Sequence, residues 1–333
     1  MPDAKGVLVL GETSGAELSL GSQELLAAAR KAAGVLGEEV AIGLFGSSLS
    51  DASGQRAIAF GADRVYAVNH PLLAQYHPDL YLAAAEALCK DTNPRIVLIS
   101  RTLQGRELGP RLAFRLGVGL AQDCLEVSVD PATKRLLANR PVYGGNAVAV
   151  ISCNGRPNIA ALRPKAYEPL PPNSARQGQV VSFPVALDQS MARSRVVSVV
   201  KEEAKGVKLE EARVVVSGGR GLGGPEPFKE LDTLAKLLGG AVGASRAAVD
   251  SGWVPASHQV GLTGKSITPE LYITVAISGA SQHLAGCSGA KVIVAINKDA
   301  EANIFKEARY GVVGDWKKVL TAFTETVREL TQG

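Results

Sequence analysis

A two-domain α/β protein, with a largely parallel sheet in each domain, is the fold class the sequence predicts. Three observations predict it. Short apolar runs that end in glycine alternate with segments of helical spacing. Glycine is abundant at 36 residues while aromatics make up only 5%, a balance that suits sheets layered with Val, Ile, Leu and Ala and turned by Gly. The length of 333 residues exceeds one small domain and fits two.

Each element follows in order. Val7, Leu8, Val9 and Leu10 form an apolar run closed by Gly11, as strands buried on both faces do. Leu25, Leu26, Ala29 and Ala33 space a helix over 22–33. Further strands are expected at 40–45, 64–68 and 95–100, with helices at 52–59, 78–89 and 105–116. Such alternation builds parallel strands through crossover helices. From 124 to 168 the pattern changes to short strands at 125–129, 141–143, 147–152 and 158–162, with Gly144, Gly145 and Asn146 as a hairpin turn. An antiparallel extension of the first domain is expected there. Pro169, Pro171 and Pro172 mark an exposed loop. Charges of both signs between Lys201 and Lys208 read as a solvated linker or helix face, and the boundary is placed near 200–207, with domains at 1–203 and 204–333. The second domain reads as a doubly wound unit. Its strands are expected at 212–216, 241–244, 258–261, 271–277, 291–296 and 311–313, and its helices at 227–238, 281–286, 301–308 and 316–330.

Composition narrows the functions. With 46% hydrophobic and 20% charged residues the chain is an ordinary globular protein. A net charge of +4 without a basic stripe argues against nucleic acid. Cys89, Cys124, Cys153 and Cys287 are scattered without a CxxC, which fits reduced thiols and no metal. No apolar stretch approaches the ~20 residues of a membrane span. The first ten residues read as a strand and not as a signal peptide, so a cytoplasmic protein is expected.

Several segments carry possible chemistry. Gly219, Gly221 and Gly224 formally satisfy GxGxxG after an apolar strand, where glycines let the backbone approach a pyrophosphate. Pro225 and Pro227 follow, and Ser245 and Arg246 stand where an acid would read a ribose, so an NAD site is weakly supported. Gly264, Lys265 and Ser266 end like a P-loop, but Gln259 occupies the required earlier glycine. Ser278, Gly279, Ala280 and Ser281 make a small-residue bed at a strand end. His283 and Cys287 lie four apart, yet two ligands do not make a zinc site. Asn297 ends a buried strand, a place for reading an adenine or ribose or simply for a turn. No nucleophile–base–acid set is present, and the chain has only four His.

Together, the runs 216–221 (VSGGRG), 241–250 (AVGASRAAVD), 259–261 (QVG), 263–265 (TGK), 269–273 (PELYI), 277–280 (ISGA), 282–286 (QHLAG) and 294–299 (VAINKD) resemble the alpha subunits of electron-transfer flavoproteins. In the first domain Thr102, 105–108 (GREL), 110–113 (PRLA) and 121–124 (AQDC) do so too, and the resemblance spans essentially the whole chain. It implies a carrier and not an enzyme, with FAD held noncovalently in the second domain. It also implies a beta subunit as heterodimer partner. Flavin dehydrogenases, such as the acyl-CoA dehydrogenases of fatty acid β-oxidation, would be donors and a quinone-linked or other redox protein the acceptor. The cofactor-binding residues it implies are Arg220, Ser245, Arg246, Val260, Gly261, Leu262, Thr263, Ser278, Gly279, Ala280, Ser281, Gln282, His283, Asn297, Asp315 and Trp316. Arg246 resembles the guanidinium over the flavin ring, Thr263 the hydroxyl at flavin N5, and His283 the imidazole near the C2 carbonyl. A fixed cation at the ring favours added negative charge. Leu262 stands where the family usually has Gln, and Cys287 where Met is common. The other readings are a nucleotide-binding sensor or scaffold without redox chemistry, and an NAD-dependent oxidoreductase using the turn at 218–224.

Overall fold

The computed structural model describes residues 4–14, 17–143, 147–198 and 207–332. The chain forms two compact units, Met1–Val199 and Val200–Gly333. The expected boundary at 203/204 and the turn at 144–146 lie outside the described residues.

The first unit contains, in order, β1 (Val7–Gly11), β2 (Thr13–Ser14), β3 (Glu17–Leu18), α1 (Leu20–Leu36), β4 (Val40–Gly46), α2 (Asp51–Ala59), β5 (Arg64–Asn69), α3 (Pro78–Thr92), β6 (Ile96–Ser100) and α4 (Leu103–Leu116). It continues with β7 (Leu120–Cys124), β8 (Glu126–Val129), β9 (Leu136–Val142), β10 (Ala147–Ile151), β11 (Asn158–Leu162) and β12 (Gln179–Ser182). Seven strands form one sheet in the order β12-β5-β4-β1-β6-β11-β7, every pair parallel. Side chains alternate along β1. Val7 and Val9 pack on the face that α1 covers, while Leu8 and Leu10 enter the core beneath α3 and α4. Burial on both faces is why these strands read as unbroken apolar runs.

Two expectations need correction here. The antiparallel extension is real but consists of β8, β9 and β10 only. The segment 158–162 instead enters the main sheet as β11, parallel between β6 and β7. Its five residues are all buried, so it needs apolar layers on both sides, which an extension lacks. Strands β7 and β12 were not expected, because their sequences LAQDC and QVVS are too polar or too short to stand out. Helix α1 starts earlier than its apolar spacing indicates. Ser19 caps it by accepting from Ser22 N–H, and Gly37 ends it at φ 66°.

The second unit contains β13 (Val214–Gly218), α5 (Phe228–Leu237), β14 (Ala241–Ala244), α6 (Arg246–Asp250), β15 (Leu271–Val275), α7 (Ser281–Leu284), β16 (Val292–Asn297), α8 (Ile304–Glu307), β17 (Tyr310–Val313) and α9 (Trp316–Gln332). Its sheet is parallel in the order β14-β13-β15-β16-β17. Residues of α5, α6 and α9 fill the core on one face, and residues around α7 and α8 fill it on the other. This is a doubly wound sheet. The chain moves outward one way from β13 to β14 and then the other way through β15, β16 and β17. The topological switch point therefore lies between β13 and β15, where such sheets open a crevice at their carboxyl ends. The expected strand at 258–261 is absent; isolated bridges from Gln259 to Ala244 and from Val260 to Lys265 replace it. Helix α6 was missed, being a single short turn beside the expected strands.

Candidate functional site

A hollow of about 660 Å³ opens at this switch point, within the roughly 300–1,000 Å³ usual for cofactor sites. Three chain segments build it. The first leaves β13 through Gly219, Arg220 and Gly221, in a 3-10 turn over Arg220–Leu222. Only glycine fits at 219, where a Cβ would stand 2.0 Å from the Ala276 carbonyl oxygen at the end of β15. The two strand exits thus touch through backbone, leaving the space above them open. The second segment, 259–263, is pinned by Leu262 N–H donating to Gln282 O at 2.7 Å. Gly261 holds φ 147°, and its Cα would meet a Cβ at Gly286 at 2.4 Å. The third is 276–283, including the one-turn helix α7.

Most of the expected site residues converge on the hollow. Arg220, Ser245, Arg246, Val260, Gly261, Leu262, Thr263, Ser278, Ala280, Gln282, His283 and Asn297 line it. Gly279, Ser281, Asp315 and Trp316 do not. Gly279 turns inward at φ 78°, where a Cβ would meet Ile304 N at 2.2 Å. Trp316 is buried in the core, and Asp315 accepts from Lys317 N–H at the start of α9. Asp250, Gln259 and Asp299 also line the hollow. Sequence reading passed over them. For Asp250 the helical i,i+4 spacing from Arg246 was the available signal.

The side chains differ in what they leave free. Arg246 is exposed and pairs with Asp250 at 3.3 Å. Ser245 caps α6 by accepting from Ala248 N–H, so its own O–H remains a donor. Thr263 Oγ1 accepts from Gln259 Nε2 at 2.9 Å, and its O–H likewise remains a donor. Asn297 is buried, donating one Nδ2–H to Ile277 O at 2.9 Å and accepting from Asp299 N–H at 3.0 Å. It ties the ends of β15 and β16 together. Leu262 is exposed at the rim.

His283 is nearly enclosed, and both ring nitrogens have partners. Nδ1 lies 3.1 Å from Val260 O, a carbonyl that can only accept, so Nδ1 carries the proton. Nε2 therefore accepts from the Tyr272 hydroxyl at 2.8 Å. Burial lowers the imidazole pKa to about 4 against the small raising effect of Val260, so the ring is neutral at physiological pH. Burial pushes the neighbouring Cys287 thiol up to about 12, which makes it a packing residue and not a nucleophile. Among the described residues no group of three or more His, Cys, Asp or Glu could hold a metal.

The arrangement disfavours two chemistries. Lys265 pairs with Glu210 at 2.8 Å instead of pointing at a phosphate. The turn after β13 leads into α5 only at Phe228, without a side-chain cap, so no helix start faces the glycines as an NAD pyrophosphate site requires. What the hollow does offer is glycine backbone at the exits of two neighbouring parallel strands, hydroxyl donors, two exposed arginines and an apolar floor. That set fits a large anionic cofactor.

Comparison with known proteins completes the picture. The sequence model of the electron transfer flavoprotein domain matches residues 7–188, and that of the electron transfer flavoprotein FAD-binding domain matches residues 208–288. The chain is 43% identical over 331 residues to electron transfer flavoprotein subunit alpha of Thermoanaerobacterium thermosaccharolyticum, spanning 99% of this chain and 100% of that one. The same subunit of Megasphaera elsdenii is 41% identical over 332 residues, 99% of this chain and 98% of that one. That of Clostridium acetobutylicum is 42% identical over 329 residues, 98% of each.

Proposed function

The chain belongs to the electron-transfer flavoprotein alpha-subunit family, and we propose that the hollow between β13 and β15 is where it holds FAD. As a family member it is an FAD-binding electron carrier that works with a beta subunit. The observation that supports the location is the coincidence of the switch-point crevice with twelve of the residues the resemblance singles out.

The bound flavin supplies the redox chemistry; the residues of this chain set its position, solvation and potential. Gly219 and Gly221 let the exits of β13 and β15 lie close together, which leaves the space above them open to the cofactor. Ser245 and Thr263 each keep one O–H free to donate to the cofactor. Arg246 provides a fixed positive charge for the ring, tempered by its ion pair with Asp250. His283 contributes an uncharged wall, anchored by Tyr272 and Val260. Asn297 keeps the crevice floor rigid by joining two strand ends. Asp315 follows β17 on the same edge of the sheet, and we assign it and Trp316 to supporting α9 beside the cofactor.

The electron donors in this reading are flavin dehydrogenases, acyl-CoA dehydrogenases among them, and the acceptor is a quinone-linked or other redox protein, all in the cytoplasm. Exposed Arg246 and Leu262 at the rim leave the site open to a partner. Among the described residues no helix is long and apolar enough to cross a membrane. Apolar side chains stand exposed on two edge strands, Val148 and Val150 on β10, and Val312 and Val313 on β17, as protein interfaces require. The test is the visible spectrum of the chain purified with its beta subunit. Two flavin bands are expected, and they should be lost when Gly219 and Ser245 are both altered. A colourless complex, or bands unaffected by those changes, would reject the site.

A further inference from the structure

The first unit carries an arginine cluster that the flavin chemistry does not use. Three of its parallel strands lie side by side in the order β6-β11-β7. Arg101 follows β6, Arg163 follows β11, and Asp123 lies at the end of β7. Backbone hydrogen bonds fix these ends: Arg101 N–H donates to Leu162 O at 2.7 Å, and Arg163 N–H to Cys124 O at 2.9 Å. Arg163 grips Asp123 with a fork of two bonds, 2.6 and 2.9 Å, which engages both carboxylate oxygens.

The other arginines are left short of acceptors. Arg101 Nε lies 3.3 Å from Asp123 Oδ1, close enough to pair but out of line for a hydrogen bond, so its N–H is buried and unsatisfied. Arg140 reaches in from β9, and its Nε–H is also buried without an acceptor among the described residues. Among the described residues no carboxylate pairs with Arg140 or with Arg106, one turn into α4. The charges feel one another: burial lowers the Arg101 pKa, Asp123 opposes that, and Arg106, Arg163 and Arg140 reinforce it.

Buried donors are almost always paired, and buried cations are held by counter-charges. Two orphaned guanidinium donors in one cluster, beside only one carboxylate, leave room for a second anion. Arg101 and Arg163 stand at the carboxyl ends of parallel strands, where α/β sheets take ligands, and Arg140 comes to them from antiparallel β9. We propose that Arg101 and Arg140, flanked by Arg163 and Arg106, bind one oxyanion group, a phosphate or a carboxylate. A guanidinium fork matches the paired oxygens of either. The group can come from solution as a free anion or from an acidic side chain of the beta subunit.

The test uses the FAD-loaded heterodimer in two arms. In the first, inorganic phosphate is titrated at constant ionic strength while the thermal midpoint is followed. A free-anion site gives a saturating rise in the wild type, no rise in Arg140→Gln, and a partial rise in Arg140→Lys. Lys229→Gln, an exposed cation in the second unit, should behave as wild type. In the second arm, subunit dissociation is measured by exchange with labelled beta subunit. If a beta-subunit carboxylate fills the site, phosphate does nothing, and Arg140→Gln and Arg101→Gln each speed dissociation about tenfold or more. Either pattern upholds the site. If both variants match wild type in both arms, or lose thermal stability in phosphate-free buffer and change nothing else, the arginines are only structural and the proposal falls.

Discussion

Replacing His283 by Gln should remove a loss of stability that sets in only below neutral pH. In the folded chain its pKa is about 4, because burial penalises the imidazolium; in the unfolded chain it is ~6.5. The folded value is the lower one, so between these two values the unfolded state binds more protons. Stability from the neutral, enclosed ring is complete above about pH 6.5 and is lost as pH falls toward 4. The full difference is about 3 kcal/mol, and about 2 kcal/mol of it is gone by pH 5. Urea unfolding of the heterodimer at pH 8 and pH 5 should therefore show the wild type losing about 2 kcal/mol more than His283→Gln. A direct reading comes from carbon-13 NMR of the imidazoles. The chain has four His, and the resonance absent in His283→Gln identifies the fourth. It should keep the neutral Nδ1–H signature down to about pH 5. A His283 titration near 6.5, with parallel pH profiles for the two proteins, would refute the reasoning. The consequence reaches the cofactor: a His283 that stays neutral adds no positive charge to the hollow, and the fixed cations there are arginines.

Two further outcomes follow from the same geometry. Arg246→Ala should lower the first one-electron reduction potential by a few tens of millivolts, with FAD still bound. At 4 Å and an effective dielectric near 20 a unit charge is worth ~4 kcal/mol, but exposure and the Asp250 pair screen Arg246 well below that limit. Arg246→Lys should recover only part of the shift, and spectroelectrochemical titration with flavin content measured alongside decides it; lost FAD with an unchanged potential would make Arg246 a phosphate ligand instead. Gly219→Ala should cost about 1–3 kcal/mol or more and lower the flavin content, because its Cβ would stand 2.0 Å from the Ala276 carbonyl. A fully flavinated, equally stable Gly219→Ala heterodimer would mean that the crossing of β13 and β15 is not as tight as described.

Much of the fold was legible because its signals are local. The runs at β1, β4, β6 and β15 are apolar on both faces, so the sequence alone marks them as buried parallel strands. Glycines after β13 and small residues after β15 mark two strand exits, and resemblance joined them into one site. Partnership between strands was not legible. The run of five residues in β11 has the same look in an antiparallel hairpin as between β6 and β7, because hydrogen-bonded neighbours far away in the chain leave no trace in a short window. The same limit hid β7, whose polar Asp123 is explained only once Arg163 arrives from the end of β11.

The sequence by itself determined the α/β class and the absence of hydrolytic motifs, and with the family resemblance it nominated residues for an anionic dinucleotide. Only the tertiary structure decided what those residues have left to offer. It tied Asn297 to Ile277 and Asp299, fixed His283 as a neutral ring between Tyr272 and Val260, and set Asp250 against Arg246. It also left Arg101 and Arg140 with donors and no acceptor. A residue's type gives its possible hydrogen bonds and charge. Which of them remain free depends on neighbours that folding brings from distant positions, and on the burial that makes each unpaired group costly.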